Sequence, residues 1–332
     1  MRAVVVKALG SLDHLAIEDR PKPQPGPGQV LIDVAAAGIN FADLLAVQGK
    51  YQVEAKPPYV PGMEVAGVVA AIGAGISRFK PGDRVIATMR QGAFAEAAVA
   101  KESECHALPG DIGFADGASL GIAYQTAYFG LRDSGRLEPG EVVLVNGAAG
   151  GVGIAAVQLA KAFGAMVLGG LNGLAKGDVV RRNGADRLID LSAPNLADSL
   201  RDQVKAATGG RGADVILDMI GGDVFDASLR ALAFRGRIVI IGFTSGRMPL
   251  IKANYLFIKN ITATGLIWGY YRDQDPMGVR RAQDEIFALC RDGRAKPDVM
   301  RVLPLDGFRE AFELIAERRI EGRIVIEPGR RA

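Results

Sequence analysis

Hydrophobic and polar positions follow two different patterns along the chain. In the first third, Val30, Ile32 and Val34 alternate with Leu31, Asp33 and Ala35. The run Ala66-Gly67-Val68-Val69-Ala70-Ala71-Ile72 ends at Gly73, and Asp83-Arg84-Val85-Ile86-Ala87 follows a Pro81-Gly82 turn. Short apolar runs bounded by glycine and proline predict strands of a compact β domain. The segment Pro21 to Gly28 holds four prolines and reads as a stiff surface connection.

Near residue 121 the pattern changes. Val142-Val143-Leu144-Val145 is continuously apolar, as a strand buried on both faces must be. Val152, Ala156, Leu159 and Phe163 then recur at helical spacing. Further strand candidates are Met166-Val167-Leu168, Leu188-Ile189, Val215-Ile216-Leu217 and Ile238-Val239-Ile240-Ile241, separated by helix-length segments. This alternation predicts a doubly wound parallel sheet with helices on both faces, an α/β fold. Two helices over 277–292 and 306–319 and a strand at Arg323-Ile324-Val325-Ile326 complete the chain, which has no internal repeat.

At 332 residues the chain exceeds what a single core usually fills, so about two domains are expected. With 49% hydrophobic and 23% charged residues it is not a disordered sequence. A net charge of +3 is too balanced to predict a nucleic-acid or membrane partner. The arginines Arg318, Arg319, Arg323, Arg330 and Arg331 are too scattered for an RNA-binding run. Two cysteines make no disulfide framework, which favours a reducing compartment. The first apolar run breaks at Lys7, and no window approaches the ~18 apolar residues of a membrane span. The expectation is a soluble cytoplasmic protein.

The strongest motif is Asn146-Gly147-Ala148-Ala149-Gly150-Gly151-Val152-Gly153, between the first parallel strand and its helix. Glycines there let the backbone turn tightly and approach a pyrophosphate, which the helix N-terminus then receives. Ala148 stands at the first glycine of the usual G-x-G-x-x-G, with Gly150 and Gly153 at the second and third. An NAD site wants an acidic residue about 20 residues further on. Val167 to Gly170, then Leu171 and Asn172, supply none, and the glycines there are expected to leave room for a phosphate. Lys176, Arg181 and Arg182 follow, each either a phosphate-binding cation or part of a solvated helix face. The expected cofactor is therefore NADPH, with Asn172 and Lys176 on its adenosine side.

These residues resemble the medium-chain dehydrogenase/reductases that work without zinc, and among them the ζ-crystallin-like quinone oxidoreductases. The run from Gly140-Glu141-Val142 through the glycine loop to Gln158 and Lys161 matches that family's signature. Pro61-Gly62-Met63-Glu64-Val65-Ala66-Gly67, Gly92-Ala93-Phe94-Ala95-Glu96 and Gly322-Arg323-Ile324-Val325-Ile326 resemble family blocks. The resemblance spans essentially the whole chain. It implies a GroES-like substrate domain over 1–121, a Rossmann cofactor domain over 122–270 and a return to the first domain over 271–332. It also implies an interdomain cleft where nicotinamide meets substrate, and a homodimer, for which the apolar segment Tyr255-Leu256-Phe257-Ile258 is a candidate interface or ordinary core.

Zinc relatives carry a catalytic Cys where this chain has Asn40 and a His where it has Met63, and neither replacement is a good zinc ligand. Cys105, Cys290, His14 and His106 are the only cysteines and histidines. The plain reading is an ordinary surface histidine beside an inert buried cysteine, with no metal. Alcohol oxidation without a Lewis acid is hard, whereas reduction of an electron-poor acceptor is not.

The resemblance also carries individual positions. Asn40 sits by the substrate and donates to a developing oxyanion, or else stabilises its own turn. Tyr51 stacks on or hydrogen-bonds a quinone, or else packs. Thr126 faces the nicotinamide, or else back-bonds within its helix. Gly242-Phe243 and Ile267-Trp268 end the fifth and sixth strands, where open α/β sheets bind ligands, although Trp268 suits a core or interface equally. The implied function is NADPH-dependent reduction of a quinone. Reduction of α,β-unsaturated carbonyls by an enoyl or 2-alkenal reductase, and nucleotide binding without catalysis, are the alternatives.

Overall fold

A computed structural model describes residues 1–53 and 55–330, so Arg331 of the arginine series lies outside the described residues. The chain divides into two units. The first comprises Met1–Ala123, Gln274–Phe287 and the chain from Pro297 onward; the second comprises Tyr124–Asp273 and Ala288–Lys296.

The first unit opens with the antiparallel pair β1 (Arg2–Val6) and β2 (Leu15–Asp19). Then come β3 (Gln29–Ile39), β4 (Glu64–Ile72), β5 (Arg84–Thr88), β6 (Ala97–Lys101) and β7 (Cys105–Ala107). The alternation read at Val30 to Val34 is the inner stretch of β3, whose Val30, Ile32 and Val34 point into one apolar core.

The second unit is a six-stranded parallel sheet of β8 (Val142–Asn146), β9 (Met166–Leu171), β10 (Arg187–Asp190), β11 (Ala213–Asp218), β12 (Leu232–Ile240) and β13 (Thr262–Gly265). Its order is β10-β9-β8-β11-β12-β13, the 3-2-1-4-5-6 arrangement of a dinucleotide-binding sheet. All five residues of β8 are buried, which is why that strand reads as a continuous apolar run. Ligands of such sheets bind at the strand carboxyl ends where the order reverses, here beside the end of β8.

The chain returns to the first unit through β14 (Val299–Pro304) and β15 (Arg323–Glu327). There the sheet runs β14-β15-β3-β4-β5-β7, with β6 also paired to β3. Ile324 lies opposite Ile39, a register that brings the head of β15 to the end of β3.

Two expectations need correction. The return is not one block, because 288–296 belongs with the second unit, where Gln158 Nε2 donates to the Lys296 carbonyl at 2.7 Å and Lys296 N–H to Gln158 Oε1 at 2.9 Å. The last helix is Phe308–Ala316, shorter than 306–319, and Arg318 beyond it has a left-handed φ of 57° that a helix cannot continue through. Among the described residues no helix is long and apolar enough to cross a membrane.

Candidate functional site

In the second unit, β8 ends at Asn146 and the chain turns at Gly147, whose φ of 84° suits glycine. Gly147 and Ala148 N–H donate to the Gly170 carbonyl at 3.0 and 3.1 Å, which ties the loop to β9. Gly150 caps the helix Gly151–Ala162, and Ile154 N–H is the first to bond back, to Gly150 at 2.8 Å. The N–H groups of the helix's first turn therefore have no acceptor within the helix, and they stand at its positive dipole end.

Gly147, Gly150, Gly151 and Val152 are half-exposed and form an open edge suited to a pyrophosphate. Ala148 and Gly153 are buried and serve the packing of the turn. A Cβ on Gly153 would lie 2.2 Å from the Gly147 carbonyl oxygen, whereas one on Gly150 would meet nothing closer than that oxygen at 3.6 Å.

Beneath the loop lies a pair that sequence reading missed. Asn146 Nδ2 donates to Asp218 Oδ1 and to Ser228 Oγ, each at 2.9 Å, and Asp218 Oδ2 accepts the Gly221 N–H at 2.8 Å. Burial pushes the Asp218 carboxyl above its ordinary range, while the bonds from Asn146 and Gly221 hold it back. The two residues join the carboxyl ends of β8 and β11. The available signal was a polar residue closing each of two apolar strands.

The glycines of β9 do not make room for a phosphate. A Cβ on Gly169 would meet Val180 at 2.5 Å and one on Gly170 would meet Asn146 Oδ1 at 3.1 Å, so the protein itself fills that space. Asn172 is exposed just past the strand. Lys176 closes the tight turn Leu174–Lys176 and caps the helix Gly177–Arg182, rather than lying within that helix. Arg181 is held by Asp178 at 3.3 Å. A carboxylate that the 20-residue spacing overlooked, Asp190, ends the neighbouring β10. It accepts from Ser192 Oγ at 2.7 Å, Ser192 N–H at 2.9 Å and Gly173 N–H at 3.3 Å, and these bonds, led by the hydroxyl, hold its pKa down.

Gly242 and Phe243 follow β12 in a loop bound to the one after β11, through Thr244 N–H to Met219 at 3.1 Å and Ser245 N–H to Ile220 at 2.9 Å. Thr126 is buried in the helix Ile122–Phe129. Past β13, Ile267 is exposed, but Trp268 is buried with the Arg272 guanidinium 5.6 Å over its ring.

In the first unit, Asn40 caps the helix Phe41–Val47 and is buried. Its backbone N–H donates to Asp43 Oδ2 at 2.7 Å, its Nδ2 to Glu64 Oε1 at 3.0 Å, and its Oδ1 accepts from Arg323 Nη1 at 2.8 Å. Arg323 also pairs directly with Glu64. Burial raises the Asp43 carboxyl to about 7; the Glu64 charge adds to this, while the Asn40 bonds and the Arg323 charge oppose it. Tyr51 is half-buried in the following loop.

These donors do not fit zinc: Asn40 is engaged by Glu64 and Arg323, Met63 offers only a thioether, and among the described residues no cluster of His, Cys, Asp or Glu is placed to hold a metal. His106 is not on the surface as expected. It is 2% exposed on β7, neither ring nitrogen has a hydrogen-bond partner among the described residues, and burial pushes it down to about 3, with help from the Arg78 and Arg280 charges. Its neighbour Cys105 is buried too, and burial raises its thiol to about 12.

Residues 26–114 match the family described as Alcohol dehydrogenase GroES-like domain, and residues 151–282 match Zinc-binding dehydrogenase. Quinone oxidoreductase-like protein 2 homolog of Nematostella vectensis is 39% identical over 98% of this chain and 88% of its own length. Quinone oxidoreductase of Sus scrofa is 37% identical over 98% of this chain and 97% of its own. The Escherichia coli quinone oxidoreductase solved with NADPH superposes with a TM-score of 0.91 at 28% identity, over 99% of this chain and 100% of that one.

Proposed function

This chain belongs to the medium-chain dehydrogenase/reductase family, in its quinone oxidoreductase-like branch, and from that premise we propose that it is an NADPH-dependent quinone reductase. The observation that carries the reading is the open edge Gly147, Gly150, Gly151 and Val152 at the first turn of the helix Gly151–Ala162. The relatives' names and the NADPH complex of the Escherichia coli protein support the choice of acceptor and cofactor.

In this reading backbone N–H groups of the glycine loop hold the pyrophosphate, and Lys176 and Asn172 serve the adenosine end. Thr126, Gly242, Phe243 and Ile267 serve the nicotinamide end; Trp268, being buried, supports its neighbours. NADPH, when bound, supplies the hydride. Asn40 serves the acceptor. Its amide nitrogen carries two N–H groups. One goes to Glu64, and the other is the donor for the oxygen that gains charge as the quinone is reduced. Tyr51 lies against the flat ring. The remaining proton comes from water.

We also read the protein as a homodimer. β13 is the outer strand of the sheet, and the nearby Leu250, Phe257 and Ile258 are 83%, 84% and 71% exposed, while Tyr255 and Leu256 pack on the core. Exposed apolar side chains of this kind beside an outer strand suit a second copy.

Stopped-flow oxidation of NADPH against quinones, alkenals and enoyl thioesters tests the reading. Quinones should turn over fastest. Turnover of alkenals or thioesters alone would replace the quinone assignment, and no turnover with tight NADPH binding would indicate a non-catalytic protein.

A further inference from the structure

A free asparagine amide is ambiguous, because its oxygen and nitrogen ends have nearly the same shape. Asn40 has no such freedom. A carboxylate can only accept and a guanidinium can only donate. With Glu64 at one end and Arg323 at the other, a flipped Asn40 would set oxygen against carboxylate and N–H against guanidinium. The two charged side chains are 2% and 4% exposed. Their pairing is reinforced by the Ile122 N–H, which donates to the second Glu64 oxygen at 2.9 Å. Gly38 leaves space for them, since a Cβ there would lie 2.5 Å from Glu64 Oε1 and 2.8 Å from Arg323 Nη2.

A buried ion pair of this kind is a poor stabilising device, because desolvation offsets most of its attraction and well-packed apolar residues often do as well. Its distinctive property is directional. We propose that Arg323 and Glu64 are positioning residues that lock the Asn40 amide in one orientation, so that its second N–H is always the group offered to the acceptor. Arg323 reaches this position from β15, 283 residues along the chain from Asn40. The inference rests on the reading that Asn40 donates to the quinone oxygen.

Arg323→Lys tests it. Lysine keeps the charge opposite Glu64, but a single ammonium does not reproduce the planar fork that reaches both Glu64 and Asn40. The variant should lose about 10- to 100-fold in kcat with NADPH and a quinone, as small misplacements of a catalytic group do. KM for the quinone and the affinity for NADPH should stay near the parent's, the signature of an interaction made in the transition state. Asn40→Ala should lose a comparable factor. Asn40→Ala/Arg323→Lys should be no slower than Asn40→Ala, because residues acting through one group are not additive. Should the lysine variant not fold, Glu64→Gln/Arg323→Met, which removes both charges together, makes the same comparison. A parent-like kcat in the Arg323 variant beside a slow Asn40→Ala, or losses that add in the double variant, overturns the inference alone. A parent-like kcat in Asn40→Ala overturns the reading beneath it and the inference with it.

Discussion

Gly153 approaches Gly147 so closely that a Cβ on the first would sit 2.2 Å from the carbonyl oxygen of the second. The helix and the loop that precedes it are thus pressed together with no room for a side chain. Gly150, three residues earlier, has an ordinary extended φ of −79° and open space around its Cα. The two glycines should therefore fail differently. Gly150→Val should keep the parent's melting temperature and lose NADPH affinity by at least about tenfold, because the branched side chain would occupy the approach proposed for the pyrophosphate. Gly153→Ala should lose stability by roughly 1–3 kcal/mol, the usual cost of overpacking. Thermal melts and cofactor titrations on both variants decide the matter; equal NADPH affinity in Gly150→Val removes the loop from the binding site.

Lys176→Ala should weaken NADPH binding about 10- to 100-fold, the worth of one charge-assisted hydrogen bond, and leave NADH nearly unchanged. Asp190 makes this a sharp test, because its carboxylate stands close to Gly173 on the same turn. Tighter NADH binding by the parent would show that Asp190 sets the preference instead.

Stability should respond to pH through two buried groups of opposite sign. His106 titrates near ~6.5 when unfolded. It is held down to about 3 when folded. Its contribution is thus fully present above pH ~6.5 and is lost as pH falls toward 3, by roughly 1.4 kcal/mol per unit at most. Asp43 titrates near ~3.9 when unfolded. It is raised to about 7 in the fold, so its contribution is present at low pH and is lost as pH rises toward 7. Relative to the parent, His106→Phe should gain stability as pH drops and Asp43→Asn as pH rises. Urea midpoints at pH 5 and pH 7.5 check both signs.

Light scattering should give twice the chain mass at micromolar concentration. Phe257→Glu/Ile258→Glu should give a monomer with an unchanged melting profile, since both side chains are exposed on the single chain. A monomeric parent ends the dimer reading.

Purified protein should carry no stoichiometric zinc, and a strong chelator should leave NADPH oxidation unchanged. Zinc that copurifies at one per chain and whose removal abolishes activity would require ligands other than Asn40 and Met63.

The parts of this molecule that announce themselves in sequence are local ones. The five-residue burial of β8, the spacing of Val152, Ala156 and Leu159, and the glycines after Asn146 are each set by a few neighbouring residues. Hidden parts depend on pairings across the chain. Gly169 and Gly170 suggest space, but what fills it, Val180 and Asn146, comes from other elements. Asp218 and Asn146 are 72 residues apart, and Glu64 and Arg323 are 259 apart. Each is a polar residue at the end of a largely apolar strand, a pattern with many possible partners. His106 sits beside a cysteine in a charged stretch, and nothing local indicates that a short edge strand buries it.

The first unit is assembled from three separated stretches, while the second is nearly continuous. On a ribosome the second unit's sheet is complete once β13 has emerged, whereas β3 waits for β15 to reach its open side. Until then Glu64 has no Arg323 guanidinium to pair with. Domains tend to fold as units in order of synthesis, and late long-range pairing slows them. For this chain the expected order is inverted: the later-encoded sheet has all its strands first, and the N-terminal sheet is completed only when β15 is delivered.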